Sequence, residues 1–329
     1  MFNKIFIIML SLVLLHDCAI FTQSLVLVHL GPKLPTYLID ALSQARLFNP
    51  NLDIFLLAER VALTTYQAND LRIELIAIEA IPLTQIHIDF KKQTKLNVSF
   101  RDGFWLHASE RFLYIYDFMH QKNLSDVFHI ENDNLIYCDV TKLLPIFQAY
   151  YPGIAAVIDN DNRCIPSFMY FANVKAIKSL AEYFQKNAKY GYNDMVLIAK
   201  LKHKSNKNII DNLPIITEKY CASFGLKSAN GAKPRNSKLF YNNFNIFKSL
   251  FDGAALGQFI GGIDPRNSTK SGFGPGFINE TCVFDPSKIK ITWRKDELGR
   301  KVPYAECCGD SYKINNLHIH CKNLVKFRS

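Results

Sequence analysis

The sequence predicts an α/β protein with a mixed, mostly parallel central sheet flanked by helices, and a smaller C-terminal lobe. Short apolar runs alternate with segments of helical period through the first half, which is the pattern of a parallel sheet covered on both faces. Hydrophobic residues make up 49% of the 329 residues, enough to bury one large domain or two lobes. Charged residues make up 21%, which argues against extended disorder.

The first half supplies four predicted strands and two predicted helices. The strands are expected at residues 25–30, 53–59, 74–80 and 125–131, and the helices at 36–48 and 105–119. In the second helix, Phe112, Ile115, Tyr116 and Met119 share one face. Because ligands bind beyond the carboxyl ends of parallel strands, the residues that follow these runs are the candidate site.

The second half is less regular. Strands are expected at residues 153–159 and 167–172, helices at 173–186 and 191–201, a polar stretch at 202–243 and a long loop at 271–280. Asn173 is the expected cap of the first of these helices. A hairpin turn is expected at residues 297–299, and the flanking Trp293 and Tyr304 should pack between its strands.

The N-terminus has the pattern of a secretory signal. Lys4 precedes the apolar run "IFIIMLSLVLL", and His16 and Asp17 interrupt it. The run is too short for a comfortable membrane span, so a short membrane anchor is the competing interpretation. We expect the secretory route or membrane association, in a lumen if the source is eukaryotic, and the cytosol if this segment is not a signal.

Several protein classes are disfavoured. The formal net charge is +10, but the lysines are scattered and no nucleic-acid-binding motif appears, so no nucleic-acid partner is expected. "HLGPKLP" after the first strand has no glycine-rich phosphate loop, which argues against a dehydrogenase or P-loop ATPase. The eight cysteines form no C-x-x-C pair, so a zinc ribbon is not expected. On export, one or two disulfides would form in the C-terminal half.

Two acids end the fourth predicted strand. In "FHIENDNLIYCDV" (residues 128–140), Glu131 and Asp133 lie two positions apart, so both carboxylates point the same way in an extended segment. Hard oxygen ligands suit Mg²⁺ or Mn²⁺. Most such triplets are solvated turns, but the strongly apolar flanks favour a buried cation site here.

The tail contains a second group of polar side chains. If "HIHCK" is a strand, His318, His320 and Lys322 share one face. An imidazole ligates ions such as Mn²⁺, and a lysine is a point-charge partner for phosphate. An amphipathic edge strand with its polar groups in water is the alternative. Carboxylates, imidazole and lysine together are the parts needed to hold a metal–diphosphate.

With these segments the sequence resembles the metal-dependent nucleotide-sugar glycosyltransferases of the GT-A fold. "FHIENDNLIYCDV" is similar to their D-x-D motif, and "GFWLHASERFLYIYDFM", "LFDGAALGQFIGGIDPRN" and "NNLHIHCKNL" complete a likeness that covers most of the chain after Ser24. The resemblance implies a Rossmann-like fold with an acceptor-binding C-terminal lobe. It divides the chain into a signal or anchor (1–23), a nucleotide-sugar-binding half (24–140) and an acceptor-binding half of the same catalytic domain (141–329).

The implied activity is glycosyl transfer, of the hexosyl type, from a nucleotide-diphosphate sugar to a hydroxyl of a glycan, glycolipid or polysaccharide, with Mn²⁺ or Mg²⁺. By the match to D-x-D, Asp133 is the principal metal ligand. Glu131 replaces the usual first aspartate, and it either assists through water or binds the donor sugar or ribose. His320 is a further metal ligand, with His318 as the alternative, and Lys322 binds the diphosphate.

The resemblance also implies contacts to the donor near the first strands. His29 in "VHLG" and Glu59 after the second strand are the candidates for the nucleoside. Arg111 lies on the long helix and either contacts the donor or forms a surface salt bridge with Asp117 or Glu110.

An inverting transferase needs a carboxylate base, for which Asp194 and Asp252 are the candidates. The alternatives are a helix-front residue for Asp194 and a helix cap or turn beside Gly253 for Asp252. A retaining enzyme would need no such base, and the sequence does not distinguish the two outcomes.

Two other functions compete with this prediction. A nucleotidyltransferase or nucleotide-sugar pyrophosphatase would use a similar sheet and metal, but usually carries a glycine-rich segment after its first strand. A non-catalytic secreted glycan-binding protein would be expected to have lost an acidic or histidine position of the site, and both are present.

Overall fold

The computed structural model describes residues 23–67, 69–204, 209–267 and 274–329. The strands are Ser24–His29 (β1), Asp53–Ala58 (β2), Glu74–Ala77 (β3), Val127–Ile130 (β4), Asn134–Ile136 (β5), Ile154–Asn160 (β6), Arg163–Phe171 (β7), Ile210–Asn212 (β8), Ser249–Leu250 (β9), Lys290–Lys295 (β10), Lys301–Cys307 (β11), Asp310–Ile314 (β12) and Asn316–His318 (β13). The helices are Leu38–Phe48 (α1), Arg60–Leu63 (α2), Gln85–Gln93 (α3), Phe104–Lys122 (α4), Val140–Tyr150 (α5), Val174–Asn187 (α6), Asp194–Lys204 (α7), Glu218–Phe224 (α8), Phe244–Phe247 (α9) and Ala255–Gly261 (α10).

A seven-stranded sheet in the order β3-β2-β1-β4-β7-β6-β8 forms the centre. Strands β1 to β4 pair in parallel, as do β6 and β8, while β7 runs antiparallel to both of its neighbours. The α/β class with a mostly parallel sheet is therefore confirmed. Since β1 and β4 are adjacent and parallel, their carboxyl ends lie side by side.

The smaller lobe is a four-stranded sheet in the order β10-β11-β12-β9. Strands β10 and β11 form the predicted hairpin, with Gly299 in the left-handed region at φ 76°. Trp293 packs edge-on against Tyr137, which follows β5, with ring centroids 5.8 Å apart, so its ring joins the hairpin to the segment after β5.

Helix α4 crosses the core beneath the sheet. Gly103 directly precedes the helix and Asn123 directly follows it, and both have positive φ. The predicted face of this helix is buried, but so are all the remaining residues from Ser109 to Met119. The amphipathic interpretation was therefore too narrow, because neighbouring helices cover the side that the sequence left polar. Helix α6 begins as predicted, with the Asn173 side chain accepting a hydrogen bond from the Ala176 amide.

Two segments differ from the sequence-based expectation. The polar stretch 202–243 contains β8 and α8, since its scattered apolar residues, among them Ile210, Leu213 and Tyr220, reach the core. The tail strand ends at His318, because the chain then turns through hydrogen bonds from the His320 amide to the His318 carbonyl and from the Lys322 amide to the Ile319 carbonyl. Lys322 has φ 63°, which no strand residue adopts.

The predicted signal or anchor at residues 1–22, including Cys18, and positions 271–273 of the predicted long loop lie outside the described residues. Within the described ranges, no helix combines the length and apolar character needed to cross a bilayer. The seven cysteines in those ranges are all free thiols.

Candidate functional site

The site forms where the tail pairs with the segment after β4. Strand β13 runs antiparallel to β5, with His318 opposite Asn134. The Ile319 amide then donates to the Asp133 carbonyl at 2.8 Å. This pairing brings the tail beside the acidic turn at the carboxyl end of a central parallel strand, where α/β proteins place their ligands.

Three side chains converge there. Nε2 of His318 lies 3.1 Å from Oδ2 of Asp133 and 3.6 Å from Oε2 of Glu131. One ligand atom from each of the three residues lies within 4.8 Å of the others. Nδ1 of His318 is 2.7 Å from the Gly253 carbonyl, which only accepts, so Nδ1 carries a hydrogen and Nε2 is the ligating atom.

Basic groups neutralise the two acids. Lys322 forms an ion pair with Asp133, and Nη1 of Arg111 lies 2.6 Å from Oε1 of Glu131. Burial would raise the pKa of Asp133, but His318 and Lys322 hold that pKa well below its usual range. Burial would likewise raise the pKa of Glu131, and Arg111 and His318 lower it. Both carboxylates are therefore ionised and able to ligate a cation.

The imidazole of His318 responds to the same charges. Burial would lower the pKa of His318, but Asp133 and Glu131 raise it to about 9. A divalent cation among these groups would compete with that proton and with the Lys322 ammonium for the same carboxylate oxygens. Two carboxylates and one imidazole, with coordination positions left for water and phosphate, fit Mn²⁺ or Mg²⁺.

His320 lies outside this group of three. Its Nδ1 accepts a hydrogen bond from the Asp264 amide at 3.2 Å, and its ring centroid is 5.5 Å from that of His318. Burial, together with the nearby charges of His318 and Lys322, lowers the pKa of His320 to about 4. Because the strand ends at His318, the predicted common face of the tail side chains does not form. Lys322 reaches Asp133 through the turn instead.

Arg111 is buried and connects two parts of the site. Besides its contact to Glu131, its Nη2 lies 2.8 Å from Oδ2 of Asp194, the first residue of α7. Neither predicted surface salt bridge, to Asp117 or Glu110, forms, because those two acids pair with His87 instead. Nε of Arg111 and Oδ1 of Asp194 are buried and have no hydrogen-bond partner among the described residues.

Asp252 lies behind the site. Its carboxylate accepts hydrogen bonds from the amides of Leu256, Gly257 and His318 at 2.9–3.1 Å. Burial raises the pKa of Asp252, and these amides oppose that rise. This is the helix-cap geometry that the sequence left open as an alternative to a base. These hydrogen bonds hold β13, the strand that carries His318, against the start of α10.

Other polar groups line the ends of β1 and β2. His29, the last residue of β1, has a buried Nε2 with no hydrogen-bond partner in the described part of the chain, and Glu59 precedes α2. Asn132 was not predicted: its Nδ2 donates to the Val28 carbonyl at 3.0 Å, and its buried Oδ1 accepts no hydrogen bond from any described residue. In the sequence, the position of Asn132 between the two acids could have indicated that it belongs to the site. No sequence signal marks the Gly253 carbonyl.

Solved structures similar to the chain include the mouse xyloside xylosyltransferase 1, at 12% identity over 62% of this chain and 90% of that chain, with a TM-score of 0.43. The galactosyltransferase LgtC, in complex with donor and acceptor sugar analogues, is 13% identical over 61% of this chain and 77% of its own, with a TM-score of 0.38. A cytidylyltransferase from Leptospira borgpetersenii is 9% identical over 59% and 76%, with a TM-score of 0.36.

Glycosyltransferases are thus among the solved structures that the chain resembles, as its sequence predicted. No protein-family model matches the chain, and no curated protein matches it in sequence.

Proposed function

We propose that this protein is a metal-dependent glycosyltransferase that moves a sugar from a nucleotide-diphosphate donor to an acceptor hydroxyl. The observation that carries the proposal is the convergence of Glu131, Asp133 and His318, with Lys322 beside them, at the carboxyl end of a central parallel strand. A divalent cation held there would neutralise charge on the diphosphate as the sugar leaves.

The chain's own residues would then act as follows. Asp133 and His318 would hold the cation, and Glu131 would assist. Lys322, beside Asp133, would place its ammonium where the leaving diphosphate gathers charge. His29 and Glu59, at the ends of β1 and β2, remain the proposed contacts to the nucleoside.

The buried pair beyond the cation site would face the transferred sugar. Arg111 and Asp194 each keep an unpaired buried polar atom that a sugar hydroxyl would satisfy. Burial raises the pKa of Asp194, and Arg111 opposes that rise. Asp194 is therefore a better candidate for a base than Asp252, whose carboxylate already accepts three backbone hydrogen bonds. Asp194 therefore remains our candidate base for an inverting reaction, and the stereochemical course is left open.

The direct test is release of nucleotide from a panel of nucleotide sugars, with Mn²⁺ and with EDTA. A glycosyltransferase releases nucleotide diphosphate from one preferred donor, by slow hydrolysis or by transfer, and EDTA abolishes the release. Release of nucleotide monophosphate would instead identify a pyrophosphatase, the competing enzyme class. Turnover that persists without any divalent ion would contradict the proposal.

The two tail histidines provide a matched pair of variants. We propose that His318→Ala weakens Mn²⁺ binding at least about tenfold, because it removes a ligand, whereas His320→Ala has a smaller effect. Mn²⁺ affinity measured by electron paramagnetic resonance would distinguish them. A larger loss of Mn²⁺ affinity in His320→Ala than in His318→Ala would show that His320, which the sequence favoured, is the ligand.

We also propose that the protein enters the secretory route or associates with a membrane through residues 1–23. N-terminal sequencing of the mature protein and fractionation of cells that produce it would test this. An unprocessed chain in the cytosol would contradict it.

A further inference from the structure

A second concave surface lies along α7 and shares no lining residue with the cation site. It encloses about 730 Å³ and is lined by Tyr183, Tyr190, Tyr192, Lys200, Lys204 and Arg235, among others. We call it the tyrosine–lysine groove. Tyr190 is 58% exposed and Tyr192 39% exposed, so two aromatic rings face solvent on one side of a cleft. Exposed aromatic rings grouped in one cleft form the kind of surface patch that marks an interaction site.

The helical period of α7 divides its residues between the core and the groove. Val196, Lys200 and Lys204 recur every four positions and line the groove. Asp194 and Leu197 belong to the opposite, buried side. The same helix therefore contributes Asp194 to the Arg111 pair at its first residue and cations to the groove along its outer face.

Each ring in the groove lies beside an ammonium group. Nζ of Lys200 lies 4.6 Å from the Tyr192 ring centroid, and Nζ of Lys189 lies 5.3 Å from that of Tyr190. Nζ of Lys204 lies 5.7 Å from the ring of Tyr183. Among the described residues, no carboxylate forms an ion pair with any of these three lysines. The one acid of the groove, Asp161, already accepts a hydrogen bond from the Arg235 amide at 2.8 Å.

The groove continues towards the reaction site. A second cavity of about 350 Å³ shares Asp161, Asn162 and Val196 with it, and its lining includes three asparagine amides, two hydroxyl side chains and the basic side chains of Arg163 and Lys233. Both cavities adjoin the turn between β6 and β7. Because β6 and β4 run in the same direction, this turn lies at the same edge of the sheet as Glu131.

We propose that the tyrosine–lysine groove binds the acceptor, and that this acceptor is an acidic oligosaccharide. The apolar faces of sugar rings pack on tyrosine rings, the unpaired ammonium groups bind carboxylate or sulfate groups, and the amide-rich cavity receives the sugar nearest the reaction. The groove is concave rather than flat, which favours a chain of sugars over a membrane surface. This inference rests on the proposed function, because only a transferase has an acceptor to bind.

The test compares three soluble hexasaccharides by calorimetry: hyaluronan, which carries carboxylates; chondroitin sulfate, which adds sulfates; and neutral chitohexaose. Acidic hexasaccharides should bind more tightly than chitohexaose, and more weakly at high salt because exposed charges are screened. The two acidic probes distinguish carboxylate from sulfate as the recognised anion. The double variant Lys200→Gln, Lys204→Gln should weaken acidic binding at least about tenfold, the loss expected for two charged contacts.

Matched controls separate the groove from general surface charge. Lys175 and Lys178 are exposed on α6 and lie outside the groove, so converting both to Gln should leave acidic binding unchanged. Tyr192→Leu should weaken all hexasaccharides alike, since it removes the stacking surface. Equal binding of neutral and acidic probes, equal loss in the α6 control, or binding only to vesicles of phosphatidylglycerol would overturn the proposal.

A second readout distinguishes this inference from the proposed function. Release of nucleotide diphosphate without acceptor depends on the cation site and not on the groove. If the proposed function is right and the groove binds the acceptor, the Lys200 and Lys204 double variant keeps that release but loses stimulation by acidic acceptors. Loss of the release in the double variant would contradict the inference. Absence of release in the unaltered protein would contradict the proposed function instead.

Discussion

Asp133 meets two basic side chains in this structure. Lys322 and His318 both contact its Oδ2, so one oxygen atom is shared between an ammonium and an imidazolium. A buried charge needs such partners, since an unpaired carboxylate costs several kcal/mol (on the order of 3–5) when one partner of a buried pair is removed. The same oxygen is the natural ligand for a cation, so basic residues and metal compete for it.

Replacing Lys322 with Met tests this competition. Without added cation, Lys322→Met should lower the free energy of unfolding by about 1–3 kcal/mol, because Asp133 loses one of its two partners. With Mn²⁺ the variant should recover more stability than the unaltered protein gains. Urea unfolding with Mn²⁺ or EDTA measures both values.

The control for this change is Lys326→Met, which alters an exposed lysine four residues further along. It should leave stability and its Mn²⁺ dependence unchanged. Equal Mn²⁺ stabilisation of Lys322→Met and the unaltered protein would show that lysine and cation do not compete.

At the scale of single elements, the sequence predicted what local pattern determines. Strand β1 and helix α6 are within a few residues of the prediction, because apolar runs and a capping residue mark them. The end of β13 was not predictable. The turn after His318 depends on Asp133 and Asp252, which lie more than 60 positions earlier in the chain.

The close approach of α10 to β13 gives a prediction at this scale. A Cβ on Gly257 would overlap the backbone carbonyl of His318, and neither backbone can retreat while Asp252 holds both. Gly257→Ala should therefore lower the free energy of unfolding by about 3 kcal/mol and weaken Mn²⁺ binding.

Gly274→Ala is the matched control, because a Cβ there meets no atom of the described residues within 4 Å. Guanidinium unfolding and Mn²⁺ titration of both variants would check the pair. A Gly257→Ala protein as stable as the control would mean that the contact between α10 and β13 is loose.

Helices α3 and α4 are joined by a buried histidine. Nδ1 of His87 lies 2.6 Å from Asp117, and Nε2 lies 3.1 Å from Glu110, which also pairs with Lys91. Burial alone would lower the pKa of His87, but its hydrogen bonds to Asp117 and Glu110 raise it. The folded protein thus holds this proton more tightly than the unfolded chain does.

Stability should therefore fall as pH rises. The contribution of His87 is fully present below about pH 6.5, its unfolded pKa, and is lost as pH passes through the higher folded pKa. Chemical unfolding between pH 6 and 9 should show this decline, and His87→Gln should reduce its slope. An equal slope in both proteins would contradict the assignment.

Over the whole molecule, the sequence indicated the chemistry of the site but not the full set of residues that form it. The resemblance to glycosyltransferases identified Glu131, Asp133 and the tail as candidates, and the structure brings them together. It favoured His320 with His318 as the alternative, whereas the structure places His318 beside the two acids, because β13 stops at His318. The sequence could not predict that Arg111 bridges Glu131 to Asp194, since that pairing joins three separate elements.

A cation at this site would tie distant parts of the chain together. Its ligands come from the turn after β4 and from the end of β13, so binding requires the folded tail. Ligands that bind only the folded state stabilise it, by about 2.7 kcal/mol at a concentration 100-fold above the Kd. Mn²⁺ should therefore raise the melting temperature of the whole protein by several degrees.

Removing one ligand should abolish this shift. Asp133→Asn keeps the size of the side chain but lacks the charge, so its melting temperature should no longer respond to Mn²⁺. Glu74→Gln, which changes an exposed acid on β3, should respond as the unaltered protein does. Differential scanning calorimetry with Mn²⁺ and EDTA measures all three. A Mn²⁺ shift that survives in Asp133→Asn would place the cation elsewhere and remove the basis for the proposed function.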